Sequence, residues 1–123
     1  MSDSPIVSIV DDNESVRLGT ASLVRSAGWQ TRMYASAEAF IESIEIEETF
    51  CIISDVQMPG MSGLEMQLAL IERGFAIPII FITAFPDEAI RARALRNGAV
   101  CFLAKPVDTN LILSCLAGVQ QDS

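Results

Sequence analysis

No histidine occurs anywhere in the sequence, which removes imidazole both as a general base and as a metal ligand. Cysteine is scarce. Cys51, Cys101 and Cys115 are an odd set of three without the paired spacings of a thiolate metal site. Cys51 and Cys101 fall in apolar runs, so the cysteines are expected to be buried, reduced thiols, as in a reducing compartment. Basic residues are few: 8 Lys and Arg stand against 16 Asp and Glu, a net charge of −8. Nucleic-acid binding by this chain is therefore not expected; an acidic surface with a metal site is the alternative. No apolar run approaches the length of a bilayer span, and the residues after Met1 are polar at once, unlike a signal peptide. The expected location is the cytoplasm, with no membrane partner. Apolar residues make up 50% of the 123 positions, which suits one compact domain and leaves no room for a second.

Short apolar runs alternate with helical patterns along the chain. Ile6–Val10 reads as a buried strand, Glu14–Ala27 as a helix stopped at Gly28, and Gln30–Tyr34 as a weakly alternating edge strand. Ala37–Ile44 reads as a second helix with Ser36 as its N-cap, followed by a buried strand at Phe50–Ser54. After the Pro/Gly loop "MPGMSG", Ser62 and Glu65 have capping-box spacing for a helix through Arg73. Pro78–Ile82 is strand-like, a fourth helix follows Pro86 and ends near Asn97 and Gly98, and Val100–Leu103 is a short strand. A last helix, capped by Asp108, runs from Thr109 to Val119 and leaves a fraying polar tail, "QQDS". Five β/α units with near-continuously apolar strands imply a doubly wound α/β fold: a five-stranded parallel sheet with helices on both faces.

The stretch "IVSIVDDNES" raises a physical question, because a buried strand runs straight into Asp11 and Asp12. Like charges about 4 Å apart repel by roughly 4 kcal/mol at an effective dielectric near 20, so either solvent separates them or a cation holds them together. In an open α/β sheet, ligands bind beyond the C-terminal strand ends. That edge also receives Asp55 from "IISDVQMPG", Thr83 from "FITA" and Lys105 from "FLAKP". Carboxylates without Cys or His suit a hard cation such as Mg²⁺, with Mn²⁺ as the alternative. Lys105 can hold a phosphate oxygen as a point charge, Thr83 offers a hydroxyl, and a carboxylate among these groups can attack phosphorus to give an aspartyl phosphate.

"VDD", "SDVQMPGMSG", "ITA" and "AKP", in this order and spacing, resemble the receiver domain of two-component response regulators over essentially the whole chain, residues 1–123. The "MPGMSG" loop and Phe102 most resemble the FixJ/NarL type, FixJ in particular. The resemblance implies a flavodoxin-like strand order 2-1-3-4-5. It implies Asp55 as phosphoacceptor, and Mg²⁺ held by Asp11, Asp12, Asp55 and the backbone carbonyl of Gln57, with Asp12 the more direct ligand of the acidic pair. Thr83 and Lys105 match the phosphoryl-contacting hydroxyl and lysine. Pro106 resembles the family's cis-proline, a form otherwise in the minority. Phe102 matches the aromatic switch that turns inward when Thr83 moves toward the phosphate. A sensor histidine kinase is the implied phosphodonor, and slow self-dephosphorylation and a phosphorylation-dependent homodimer through the fourth-helix and fifth-strand face are the implied behaviours. FixJ-type relatives usually continue into a DNA-binding domain, so an excised receiver and a natural stand-alone one both remain open.

Two positions depart from the family pattern. Phe85, two residues after Thr83, is bulky and implies restricted access for the water that removes the phosphoryl group. Cys101, where many relatives carry a polar residue, implies a more apolar output face. Met58, Met61 and Trp29 read as packing. A turnover phosphohydrolase with an aspartyl nucleophile would usually need a second acid two residues after the nucleophile, where this chain has Gln57. A flavodoxin-like cofactor carrier would need a phosphate-cradling Ser/Thr/Gly loop where "DDNES" stands. A degenerate receiver used only for protein contacts would not need the complete set of acids, Thr and Lys.

Overall fold

A computed structural model describes residues 5–121. The polar start at residues 1–4, and Asp122 and Ser123 of the tail expected to fray, lie outside the described residues. The strands are β1 (Ile6–Val10), β2 (Gln30–Tyr34), β3 (Thr49–Asp55), β4 (Ile79–Thr83) and β5 (Cys101–Ala104). The helices are α1 (Glu14–Ser26), α2 (Ala37–Ile41), α3 (Gly63–Glu72), α4 (Glu88–Arg96) and α5 (Thr109–Gln121). All strand pairs are parallel, in the order β2-β1-β3-β4-β5. The expected doubly wound sheet and its 2-1-3-4-5 order are what the chain forms.

Strand alternation divides the core into two layers. Val7, Ile9, Cys51, Ile53, Ile80 and Ile82 face Ala21 and Val24 of α1 and Ile112, Leu116 and Val119 of α5. Ile52, Ile79 and Phe81 face the other way, toward Phe40 of α2, Met66 and Leu70 of α3 and Ala94 of α4. The central strands β3 and β4 are apolar on both faces for this reason, which is why they read as continuous hydrophobic runs rather than alternating ones. Trp29 packs on Phe50 with 5.7 Å between ring centroids, and Met58 is buried in the second layer, both as packing residues.

Local chemistry sets the helix ends. The side chains of Asn13, Ser36, Ser62 and Asp87 each accept a hydrogen bond from a first-turn N–H of α1, α2, α3 and α4. At α3 the capping box is complete: Ser62 N donates to Glu65 Oε1 at 2.8 Å and Glu65 N to Ser62 Oγ at 3.1 Å.

Three expectations need correction. The helix expected over Ala37–Ile44 ends at Ile41, and a 3-10 turn follows at Ile46–Glu48. Ser43 Oγ takes the N–H of Glu45 at 2.8 Å, a side-chain competitor for the helical bond, and Ile44 is left 97% exposed. The tail residues Gln120 and Gln121 belong to α5 instead of fraying. The cysteines are not three reduced thiols: Cys101 on β5 is disulfide-bonded to Cys115 on α5, their Cα atoms 6.6 Å apart, and only Cys51 among them is free. The return of α5 over the edge strand that precedes it brings together two residues 14 apart in sequence, a proximity that no linear spacing encodes. Cys101 consequently packs in the α1/α5 layer, on the side of β5 away from Phe102.

Candidate functional site

Parallel strands put all C-terminal ends on one edge, and the winding reverses between β1 and β3. The loops leaving these two strands diverge there and open a crevice. Asp11 immediately follows β1, held by its own N–H to Tyr34 O at 3.1 Å. Asp55 is the last residue of β3 and Thr83 the last of β4. Lys105 follows β5, its N–H donating to Thr83 O at 2.8 Å, and the Lys105–Pro106 peptide bond is cis.

The side chains converge. Lys105 Nζ lies 3.0 Å from Asp55 Oδ2 and 3.4 Å from Asp11 Oδ2. The other oxygens of these acids are held by the loops themselves: Asn13 N donates to Asp11 Oδ1 at 2.9 Å and Gln57 N to Asp55 Oδ1 at 3.2 Å. Asp11 is 4% exposed and Asp55 8%, whereas Asp12 is open to solvent. Burial is the main cause that raises the Asp11 pKa above its ordinary value; the Asn13 N–H and Lys105 work against it, and the Asp55 charge adds to it. Burial also opposes the charge on Lys105, yet its hydrogen bond to Asp55 and the charges of Asp11 and Asp55 carry its pKa above the ordinary value.

One ammonium cannot neutralise three carboxylates. Asp11, Asp12 and Asp55 each offer an oxygen, all within 4.8 Å of one another. The donors are hard oxygens only, and the exposed position of Asp12 leaves room for retained waters, the mode in which Mg²⁺ is bound. The residues present fit a hard divalent cation.

Asp11, Asp12, Asp55 and Lys105 are thus brought together. Gln57 lies at the rim, tied to Asp55 through its backbone. Thr83 is fully buried, and its Oγ1 accepts the N–H of Phe85 at 3.0 Å. The Phe85 side chain is 69% exposed. Phe102 is not part of the acidic cluster; it packs on Phe81, with 6.5 Å between ring centroids, in the α4 layer.

Two contributors carry no signal in the sequence. Arg17 on α1 donates from Nη1 to Asp11 O at 2.7 Å, pinning the strand end. Glu38 on α2 accepts the N–H of Met61 through Oε2 at 2.8 Å, which fixes the loop after β3. That loop is closely fitted: Gly60 has φ +77°, and a Cβ there would meet the Glu38 carboxylate. At Gly63 a Cβ would meet the carbonyl oxygen of Asp55 and the ring of Phe81, so only glycine lets α3 start this close to the phosphoacceptor candidate.

Residues 7–117 match the family model for the response regulator receiver domain. The chain belongs to the response regulator receiver family. Among similar proteins, nodulation protein W of Bradyrhizobium diazoefficiens is 38% identical over 98% of the chain and 54% of its own length. The transcriptional regulatory protein FixJ of Azorhizobium caulinodans is 35% identical over 94% of the chain and 55% of its own length. The solved structure of response regulator StyR superposes with a TM-score of 0.88 at 40% identity, covering 96% of this chain and 60% of that one. The crystal structure of FixJ-N superposes with a TM-score of 0.84 at 32% identity, covering 98% of this chain and 96% of that one. The chain spans about half the length of the curated relatives it matches. As a receiver it is a two-component signalling domain, and transcriptional regulators are among its relatives. Among the described residues no helix is long and apolar enough to cross a membrane.

Proposed function

We propose that this receiver accepts a phosphoryl group on Asp55 from the phosphohistidine of a sensor kinase and uses it to alter the α4/β5 face, acting in the cytoplasm and on transcription through a separate output domain. The observation that carries the reading is the convergence of Asp55 Oδ2 and Lys105 Nζ at 3.0 Å beside two further acids. Asp55 Oδ attacks phosphorus; the new P–O bond forms as the P–N bond to the donor imidazole breaks, and the imidazole leaves with a proton from solvent. Lys105 then moves its charge from the bare carboxylate to a phosphoryl oxygen. Asp11, Asp12, Asp55 and the Gln57 carbonyl would hold Mg²⁺, which offsets negative charge on the phosphoryl group when bound.

Thr83 couples the site to the surface. Its hydroxyl serves the Phe85 N–H in the resting arrangement and is the group within reach of the strand edge that can turn to a phosphoryl oxygen. Phe102 borders a depression of about 180 Å³ with Pro86, Asp87, Glu88, Arg91 and Ala104, so the ring has space to change position against α4. Phosphorylation shifts the population between the two arrangements. The receiver reading covers residues 7–117, the stretch that matches the family model.

Intact mass after incubation with acetyl phosphate tests this reading. One alkali-labile phosphoryl group that requires Mg²⁺ and is absent in Asp55→Asn is expected. A folded protein that binds Mg²⁺ but never gains the adduct would overturn it.

A further inference from the structure

The three cysteines fall into two chemical classes. Cys51 is fully buried in β3, and burial pushes its thiol up to about 12. At neutral pH it is protonated and out of reach of oxidants, hence inert. Cys101 and Cys115 are only partly buried and are bonded to each other. Their link joins β5 to α5, and the ring it closes contains Phe102, Lys105 and Pro106. β5 is an edge strand of four residues, hydrogen-bonded on one side only, to β4. Alternation along it places Cys101 and Leu103 in the α1/α5 layer and Phe102 in the α4 layer. The disulfide therefore grips the strand one residue from the switch candidate, on the opposite face.

We propose that Cys101 and Cys115 form a reversible redox modification site: as the disulfide they hold β5 in the resting arrangement, and as the dithiol they release it to follow phosphorylation. The bond itself is independent of the phosphorylation reading; its consequence rests on that reading. Where a disulfide does occur in a cytosolic protein, it is usually transient and either catalytic or redox-sensing, and this pair lies outside the acidic site. A low-molecular-weight disulfide such as oxidised glutathione is the oxidant. One cysteine thiolate attacks it, forming a mixed disulfide and expelling one glutathione thiolate. The second cysteine thiolate attacks the protein sulfur of that bond, forming Cys101–Cys115 and expelling the second. The two cysteine protons end on the two glutathiones, so two protein thiols are oxidised and one glutathione disulfide is reduced; reduced glutathione reverses the sequence.

The test has two arms on the full chain. In the first, the protein is equilibrated across glutathione redox ratios, denatured, alkylated and weighed. A passage from three alkyl groups to one, with Cys51 the residue alkylated in the oxidised form, is expected; three groups at every ratio would overturn the proposal. In the second, beryllofluoride with Mg²⁺, a phosphoryl mimic, is titrated into both forms by calorimetry. The disulfide form is expected to bind about fivefold more weakly or worse, the lower end of usual coupling between sites, and Cys115→Ser to bind like the dithiol under oxidising conditions. Equal affinity of the two forms would overturn the coupling. Failure of both forms to bind the mimic would count against the phosphorylation reading and the coupling together, while the alkylation arm would still decide whether the pair is a redox site.

Discussion

At the scale of single residues, Asp11 sets how the site responds to pH. Burial raises its pKa above the ordinary carboxylate value, so the folded protein holds this proton more tightly than the unfolded chain does. As pH rises through the window between the ordinary and the raised value, the unfolded chain loses its proton first, and the stability contributed by Asp11 is lost. A divalent cation reverses the balance, because it binds only the deprotonated carboxylate. Mg²⁺ affinity is therefore expected to fall as pH drops from neutral through the raised value. Calorimetry checks this, and Asp11→Asn should flatten the profile as well as weaken binding. A second residue-scale prediction concerns Phe85. If its ring limits water access to the acyl phosphate, Phe85→Ala shortens the lifetime of the phosphorylated protein, and an unchanged lifetime contradicts that role. The site acids were legible in the sequence because each sits where an apolar strand stops. The cysteine pair was not, because it depends on how α5 lies over β5.

At the scale of elements, the loop between β3 and α3 decides how well the site is formed before any ligand arrives. It is held at one end by the capping box of α3 and in its middle by the Glu38 carboxylate on α2. The capping box was readable from Ser62 and Glu65 alone, since its partners are three residues apart. The Glu38 latch was not, since its partner is 23 residues away. Glu38→Ala is expected to speed hydrogen exchange at the Met61 amide and to weaken Mg²⁺ binding about tenfold, the lower end of the usual cost of a lost supporting contact at a metal site. Glu38→Gln retains an acceptor oxygen and should restore most of both. Unchanged exchange at Met61 in Glu38→Ala would show that the latch does not hold the loop. Helix α2 itself ends earlier than its apolar pattern suggests, because the Ser43 hydroxyl competes for the backbone N–H of Glu45.

At the scale of the whole molecule, the alternation of five apolar strands with five helical segments was enough to give the layer arrangement. The strand order followed from resemblance to a known family and is the order observed. That order creates the crevice between β1 and β3 and thereby places acids from distant parts of the chain within one ion's reach. A domain whose α4/β5 face changes on phosphorylation should expose a new self-complementary surface. Sedimentation with beryllofluoride and Mg²⁺ is expected to show a shift from monomer toward dimer, and a constant mass over the accessible concentration range would contradict it.

The most direct measurement locates the phosphoryl bond. Borohydride reduces an aspartyl phosphate to homoserine, so treating the phosphorylated protein with it and sequencing the peptides by mass spectrometry marks the acceptor. Homoserine at position 55, formed only when both phosphodonor and Mg²⁺ are present, is the predicted result. Homoserine at position 11 or 12 instead, or none while the protein still carries a phosphoryl group, would contradict Asp55 as the acceptor.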